Sequence, residues 1–166
     1  MQRPTFYSKH NKSLEKFATL FNSEKKYSLL KIEPIQEETF RDDGFIIDLN
    51  TGKKIGFDWE IRDRYFSNCE FKLPTLRQFE RKIIKPEIEI SIQCDSTETG
   101  IVVAWHEDFK NGNSFIQESK TDYSYKEKAK VRETYSFKVY SYKDISDFKE
   151  MLSRAFNNNQ YNHNSF

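Results

Sequence analysis

A β-hairpin pattern occupies residues 45–62, which read FIIDLNTGKKIGFDWEIR. Two runs of apolar, β-favouring residues flank the turn formers of 50–53, which include a glycine that can adopt positive φ. Along the second run the side chains alternate, so Phe57, Trp59 and Ile61 share one face. We therefore expect a hairpin that buries this face in a core.

The segments on either side of this hairpin follow helix and strand periods in turn. The chain is predicted to form helices over 13–21, 75–83 and 144–156, strands over 26–35, 87–94, 100–106 and 131–142, and a long surface loop over 110–130. We expect one α/β (α+β) domain over 1–156, with a central mixed sheet of five to six strands flanked by helices. A disordered tail is expected over 157–166.

Length and composition exclude several classes of protein. The chain has 166 residues, 27 Lys plus Arg against 26 Asp plus Glu, and 16% aromatics, which suits one folded domain and excludes a disordered chain. It lacks a run of about 18 apolar residues and an apolar leader, so we expect a cytoplasmic protein without a membrane span. The two cysteines are expected to be reduced thiols rather than zinc ligands.

The polar face of the second hairpin strand carries Asp58, Glu60 and Arg62. Neighbouring carboxylates repel one another unless a cation neutralises them, and hard oxygen donors at this spacing suit a Mg²⁺ ion that also contacts phosphate. The alternative is a solvated outer face on which Arg62 pairs with Glu60.

Further polar residues are predicted on the neighbouring strands. Glu89 and Gln93 share the polar face of strand 87–94 and would meet Asp58 if the strands are neighbours. Asp48 lies mid-strand, where a lone carboxylate is costly to bury without a partner. The register set by the hairpin loop decides whether Asp48 joins the Asp58 face, and the sequence leaves both registers open.

His106 closes the apolar strand 100–106. At a strand end it can serve as a general base or as a metal ligand together with Asp108. The alternative is a hydrogen-bonded structural histidine.

Basic residues follow one side of the predicted helix 75–83. Arg77, Arg81 and Lys85 fall at i, i+4 and i+8 beside Lys82, which predicts a stripe able to follow phosphates. A solvated helix surface is the alternative. Segment 120–132 interleaves basic residues with tyrosines, a composition that suits phosphate contact and base stacking.

The order of elements over residues 13–108 and these polar residues resemble the PD-(D/E)xK nuclease superfamily. Its members have a helix, a three-strand meander, a second helix and a further strand, with an Asp on the second strand and (D/E)-x-K on the third. One mapping takes Asp48 as the first acid and residues 60–62 as (D/E)-x-K, with arginine in place of lysine. The other takes Asp58 as the first acid and residues 89–93 as the second motif, with glutamine in place of lysine.

This resemblance implies a restriction-endonuclease-like fold and hydrolysis of DNA phosphodiester bonds with Mg²⁺ or Mn²⁺, in a phage, mobile element or restriction system. The implied metal ligands are Asp48, Asp58, Glu60 and Glu89. Arg62 or Gln93 would orient the water or the phosphate, and a protonated arginine cannot act as the base. The residues expected to bind DNA are Arg77, Arg81, Lys82 and Lys85.

The competing hypothesis is a non-enzymatic α/β module that binds or inhibits another protein through its many Tyr and Phe residues. In that case the strand carboxylates are surface charge. Metal-dependent cleavage separates the two classes. The sequence sets no oligomeric state and leaves a dimer open.

Overall fold

A computed structural model describes residues 6–35, 43–112, 114–119 and 131–158. The helices are α1 (Phe6–Ser23), α2 (Glu80–Ile83), α3 (His106–Lys110) and α4 (Ile145–Asn158), and a 3₁₀ turn spans Asp63–Tyr65. The strands are β1 (Leu30–Pro34), β2 (Gly44–Asp48), β3 (Lys54–Ile61), β4 (Phe66–Ser67), β5 (Glu70–Phe71), β6 (Leu76–Phe79), β7 (Ile90–Cys94), β8 (Ile101–Trp105), β9 (Ser114–Ser119), β10 (Val131–Ser136) and β11 (Tyr140–Tyr142).

The main sheet has six strands in the order β1-β2-β3-β7-β8-β11. The β3–β7 pair is parallel, and the other neighbouring pairs are antiparallel. The prediction of a mixed α/β domain with a central sheet of five to six strands and flanking helices is therefore confirmed. The parallel register places Asp58 beside Ser91 and Glu60 beside Gln93.

The main core lies between one face of this sheet and helices α1 and α4. Phe17 of α1 stacks on Trp59 of β3 with ring centroids 4.4 Å apart, and Phe148 of α4 packs beside it. The alternation predicted for β3 thus holds, because Phe57 and Trp59 are both buried on this face. Within the described residues, no helix is long and apolar enough to cross a membrane.

A second sheet, ordered β6-β10-β9, covers the opposite face of the main sheet. Leu76 of β6 packs on Val102 and Ala104 of β8 in a smaller apolar cluster. The polar faces of β3 and β7 also lie on this side, so their polar side chains are enclosed rather than solvated. This enclosure positions the candidate site.

The predicted helix over 75–83 is wrong in its first half. Residues 76–79 form β6, in which Leu76 and Gln78 are buried and Arg77 and Phe79 are half-buried. Leu76, Phe79 and Ile83 fit a helix period, but the strand period places Leu76 and Gln78 inward, and pairing with β10 satisfies the backbone. Only Glu80–Ile83 forms a helical turn.

Three further predictions change in detail. The predicted loop over 110–130 contains β9, while residues 113 and 120–130 lie outside the described part of the chain. The predicted strand over 131–142 is two strands in different sheets, because the chain crosses between the sheets after Ser136. Helix α4 reaches Asn158, two residues into the predicted tail, and 159–166 lie outside the described residues. Both cysteines are free, as expected.

Candidate active site

Asp58 is the centre of a buried polar network. Its side chain points away from the main core, and only 3% of the residue is exposed. Lys82 Nζ donates to Asp58 Oδ1 at 2.7 Å, and Gln78 Nε2 donates to Oδ2 at 2.7 Å. Both partners come from the continuous segment β6–α2, which lies directly over β3. The burial cost of the carboxylate is therefore offset by one cation and one amide.

The network continues across the main sheet to His106. Gln78 Nε2 also donates to Ser91 Oγ at 2.9 Å, and Ser91 Oγ lies 2.7 Å from His106 Nε2. Asp58 and Ser91 are neighbours in the β3–β7 register, and His106 follows directly after β8. These groups therefore lie in one row. Ser91 and His106 are 0% and 2% exposed, so this row is enclosed.

The network shifts the pKa of its ionisable groups. Burial opposes ionisation of Asp58, but the Lys82 ammonium outweighs it, so the pKa of Asp58 is lowered and that of Lys82 is raised. Burial lowers the pKa of His106 to about 4, despite the nearby Asp58 carboxylate. At neutral pH the pair is therefore ionised and His106 is neutral.

A second carboxylate, Asp43, lies beside β3 just before β2. Its Oδ2 accepts from the Trp59 backbone N–H at 2.7 Å, and its Oδ1 lies 3.1 Å from His10 Nε2 on α1. Burial, reinforced by the charge of Asp58, raises the pKa of Asp43. Burial lowers the pKa of His10, but Asp43 outweighs it, and the His10 pKa is raised. The charge of Asp58 therefore contributes to the raised pKa of both Asp43 and His10.

Glu60 completes this group two residues along β3. Its Oε1 lies 3.0 Å from Arg62 Nε, and its charge contributes to the raised pKa of Lys82, as does the charge of Asp43. The side chain of Glu60 is 30% exposed, against 4% for Asp58. The site thus opens to solvent from Asp58 towards Glu60, with three carboxylates around one ammonium.

Asp48 does not belong to this group. It is the last residue of β2 and pairs with Leu30, at the turn end of the β2–β3 hairpin, whereas Asp58 lies beyond the opposite end of their pairing. The Asp48 carboxylate accepts from the Asn50 N–H and the Thr51 hydroxyl, each at 3.0 Å. Asp48 is therefore a turn residue in this fold.

Glu89 and Gln93 also lie outside the carboxylate group. Glu89 precedes β7 at the level of Gly56, and burial raises its pKa to about 7. Gln93 lies beside Glu60 in the register, but its Nε2 donates to the Arg77 carbonyl at 2.9 Å. Of the residues predicted for the site, the structure brings together Asp58, Glu60, Arg62, Lys82 and His106.

The four predicted DNA-binding residues divide into two pairs. Lys82 pairs internally with Asp58, and Arg77 lies 3.2 Å from Glu133 of β10. Arg81 and Lys85 are half-buried, and Arg81 lies over the Phe79 ring at 5.0 Å. The stripe expected on one helix is therefore split between a strand and a helical turn.

Sequence reasoning missed Asp43, His10, Gln78 and Ser91 as members of the site. The only local signal for Asp43 is its position directly before Gly44, where the β2 strand begins. Gln78 and Ser91 are ordinary polar residues in the sequence, and His10 precedes the predicted helix start. Their roles come from the packing of the second sheet and α1 against β3.

The residue types of this group fit Mg²⁺, a hard cation that takes oxygen ligands. Each carboxylate already has a donor within the chain, and Lys82 is the cation that neutralises Asp58. Among the described residues, no three acidic, His or Cys side chains are placed to hold a metal ion together. No family model, curated protein or solved structure matches the chain, so its function is inferred from the site itself.

Proposed function

We propose that this chain is a cytoplasmic nuclease that hydrolyses DNA phosphodiester bonds with Mg²⁺ or Mn²⁺ at the polar cluster formed by Asp43, Asp58, Glu60 and Lys82. One observation carries the proposal. Lys82 Nζ lies 2.7 Å from Asp58 Oδ1, on the strand that also carries Glu60. In the proposal, Lys82 of helix α2 takes the place of the lysine that residues 60–62 lack.

The order of elements supports the same proposal. Helix α1 precedes the antiparallel meander β1-β2-β3. After the 3₁₀ turn and the short strands β4, β5 and β6, the helical turn α2 leads to β7, a further strand of the same sheet. This is the order on which the resemblance to PD-(D/E)xK nucleases rests. The second helix of that pattern is reduced here to the single turn of α2, which carries Lys82.

The residues of the cluster have distinct roles in the proposal. Both oxygens of Asp58 are bonded to Lys82 and Gln78, so Glu60, which is partly exposed, would hold the ion together with the phosphate of the substrate. When bound, the ion supplies an acidified water and neutralises charge at the phosphate. Lys82 keeps its proton at neutral pH, because its pKa is raised, and can stabilise the negative charge of the reacting phosphate. His10, held by Asp43, can carry a proton beside the cluster.

A cleavage assay on the full chain tests the proposal. Circular single-stranded and plasmid DNA are incubated with Mg²⁺, Mn²⁺ or EDTA, and cleavage is expected only with metal. Lys82→Met and Glu60→Gln are expected to reduce the rate by roughly 100-fold or more. Glu33→Gln, the same type of change on an exposed β1 residue, serves as the matched control.

If Lys82→Met does not fold, Glu60→Gln still tests the proposal. Glu60 is partly exposed, and removal of its charge leaves Asp58 paired with Lys82. Circular dichroism verifies that each variant is folded. Cleavage that persists in folded Glu60→Gln, or no cleavage of any nucleic acid by the wild type with either metal, would overturn the proposal.

A second candidate function is protein binding without catalysis. A groove of about 940 Å³ lies between α3, β11 and α4, with an aromatic floor of Trp105, Tyr140 and Tyr142. Its lining also carries four acids and two bases, so it has an acidic excess: Glu107, Asp108, Asp147 and Glu150 against Lys138 and Arg154. Lys138 pairs with Asp108, and Arg154 pairs with Glu150. Such a groove suits a basic peptide segment. Quenching of tryptophan fluorescence by an oligolysine peptide, together with absent cleavage, would favour this function.

A further inference from the structure

The outer face of the three-stranded sheet carries an exposed aromatic cluster. Phe115 of β9 and Tyr135 of β10 are cross-strand partners, and their rings stack with centroids 4.7 Å apart and an interplanar angle of 2°. Phe137 lies 5.4 Å from Phe115. Phe115 and Phe137 are 41% and 58% exposed. Two of the three rings are therefore exposed to solvent, and an exposed aromatic patch is typical of a binding site.

The Tyr135 ring is held in place by its own strand and by β6. Its hydroxyl donates to Glu133 Oε2 at 2.8 Å, and Arg77 Nη1 lies 3.2 Å from Glu133 Oε1. Glu133 is only 7% exposed. Glu133, the acid that Tyr135 contacts, is thus buried and paired. The Tyr135 ring is fixed before any ligand binds, which lowers the entropic cost of stacking.

Arginines border this cluster. Arg81 lies over the Phe79 ring at 5.0 Å, and Arg64 lies over the Tyr65 ring at 4.7 Å. Tyr65 is near enough to Tyr135 to affect its pKa. Across the described part of the chain, neither Arg64 nor Arg81 has a carboxylate within salt-bridge distance. Arg64 and Arg81 therefore carry positive charges that no described carboxylate neutralises.

The cluster adjoins the proposed active site through consecutive residues of β6 and α2. Arg77 and Phe79 face outward on β6, while Gln78 between them bonds Asp58. On α2, Arg81 stacks on Phe79 and the next residue, Lys82, bonds Asp58. Arg81 on the outer face is thus adjacent in the chain to Lys82 of the proposed active site.

We propose that this face binds single-stranded DNA, with bases stacked on Phe115, Tyr135 and Phe137 and phosphates at Arg64 and Arg81. Bases can stack on protein rings only where they are unpaired, and stacking combined with basic groups is the usual basis of single-strand binding. The inference rests on the proposed nuclease function and assigns its substrate class, which is unpaired DNA bound beside the cluster of Asp58, Glu60 and Lys82.

Binding is measured apart from cleavage, by fluorescence anisotropy of a labelled oligo(dT) in EDTA, with a duplex of equal length as competitor. The wild type is expected to prefer the single strand. Phe115→Ala and Phe137→Ala are each expected to weaken binding by about tenfold. Both side chains are exposed, so both variants should fold. Tyr27→Ala, at an aromatic residue 40% exposed beside β1, is the matched control.

The outcomes separate this inference from the nuclease proposal. Glu60→Gln is expected to bind oligo(dT) as the wild type does, even where cleavage is lost. Preference for the duplex, or unchanged single-strand binding in both phenylalanine variants, would overturn the inference whatever the cleavage result. A third outcome is single-strand binding that depends on Phe115 and Phe137 without cleavage in Mg²⁺ or Mn²⁺. It would overturn the nuclease proposal and support the binding face.

Discussion

The Lys82 ammonium lies 2.7 Å from Asp58 Oδ1, and the two side chains are 22% and 4% exposed. This contact connects residues 24 positions apart and fixes α2 over β3. Gln78 holds the second oxygen of the same carboxylate. One buried ion pair thus joins the second sheet to the main sheet and sets the geometry of the candidate site.

Removal of one partner of this ion pair is expected to destabilise the protein more than removal of both charges. Lys82→Met leaves Asp58 buried without its cation, and the free energy of unfolding should fall by about 3–5 kcal/mol. The double variant Asp58→Asn/Lys82→Met should recover a large part of the loss. Urea unfolding measures both, with Lys85→Met as the control. Additive losses in the double variant would contradict this interpretation.

Acid is expected to destabilise the fold through His106. Burial lowers its folded pKa to about 4 from an ordinary value of 6.5. The unfolded state therefore binds the proton first, and this contribution to the free energy of unfolding falls as pH drops from 6.5 to 4, by about 3 kcal/mol in all. Above pH 6.5 the contribution is complete.

The comparison with His106→Gln isolates this contribution. Glu89, whose folded pKa is raised to about 7, acts in the opposite direction, but it does so in both proteins and cancels in their difference. Unfolding is followed at several pH values between 7 and 4. The wild type should lose stability relative to His106→Gln across this window, and parallel curves would show that His106 is not a buried neutral group.

The sequence predicts the hairpin and both long helices because their signals are local. The alternation of Phe57 and Trp59 and the apolar face of α1 are visible within one element each, and the structure buries them as expected. The strand β6 was missed because its pairing partner, β10, lies more than 50 residues away in the chain. Without that partner, the four residues of β6 fit a helix equally well.

The candidate site was predictable only in part, for the same reason. Asp58 and Glu60 share one strand face, which a period of two makes evident. Asp43 joins them only because β2 begins directly after it, a boundary that no residue of the β2 pattern specifies. Lys82 was expected on a solvent-facing stripe, and the change of 76–79 from helix to strand turns it inward to Asp58.

Asp48 is expected to stabilise the hairpin turn through its side-chain oxygens. These accept hydrogen bonds from the Asn50 backbone and the Thr51 hydroxyl. Asp48→Ala removes both and should lower the free energy of unfolding by about 1 kcal/mol. Asp48→Asn keeps an acceptor oxygen and should lose less. Thermal or urea unfolding distinguishes them, and equal losses would mean that charge, rather than the turn hydrogen bonds, stabilises this position.

Gly44 is expected to tolerate no larger side chain, because a Cβ at this position would lie 2.6 Å from the Glu33 carbonyl oxygen and 2.8 Å from the Phe57 ring. Gly44→Ala should therefore separate β2 from its neighbours, at a cost of about 1–3 kcal/mol. It should also displace Asp43, the preceding residue, and so reduce the metal-dependent cleavage proposed above.

Gly52→Ala is the control for Gly44→Ala. Its Cβ would meet nothing within 4 Å, and its φ of +75° predicts a loss of stability of about 1 kcal/mol. Because Gly52 is in the hairpin turn, away from Asp43, this variant should keep the wild-type cleavage rate. Equal stability and equal cleavage in the two variants would show that the close contact at Gly44 does not position Asp43.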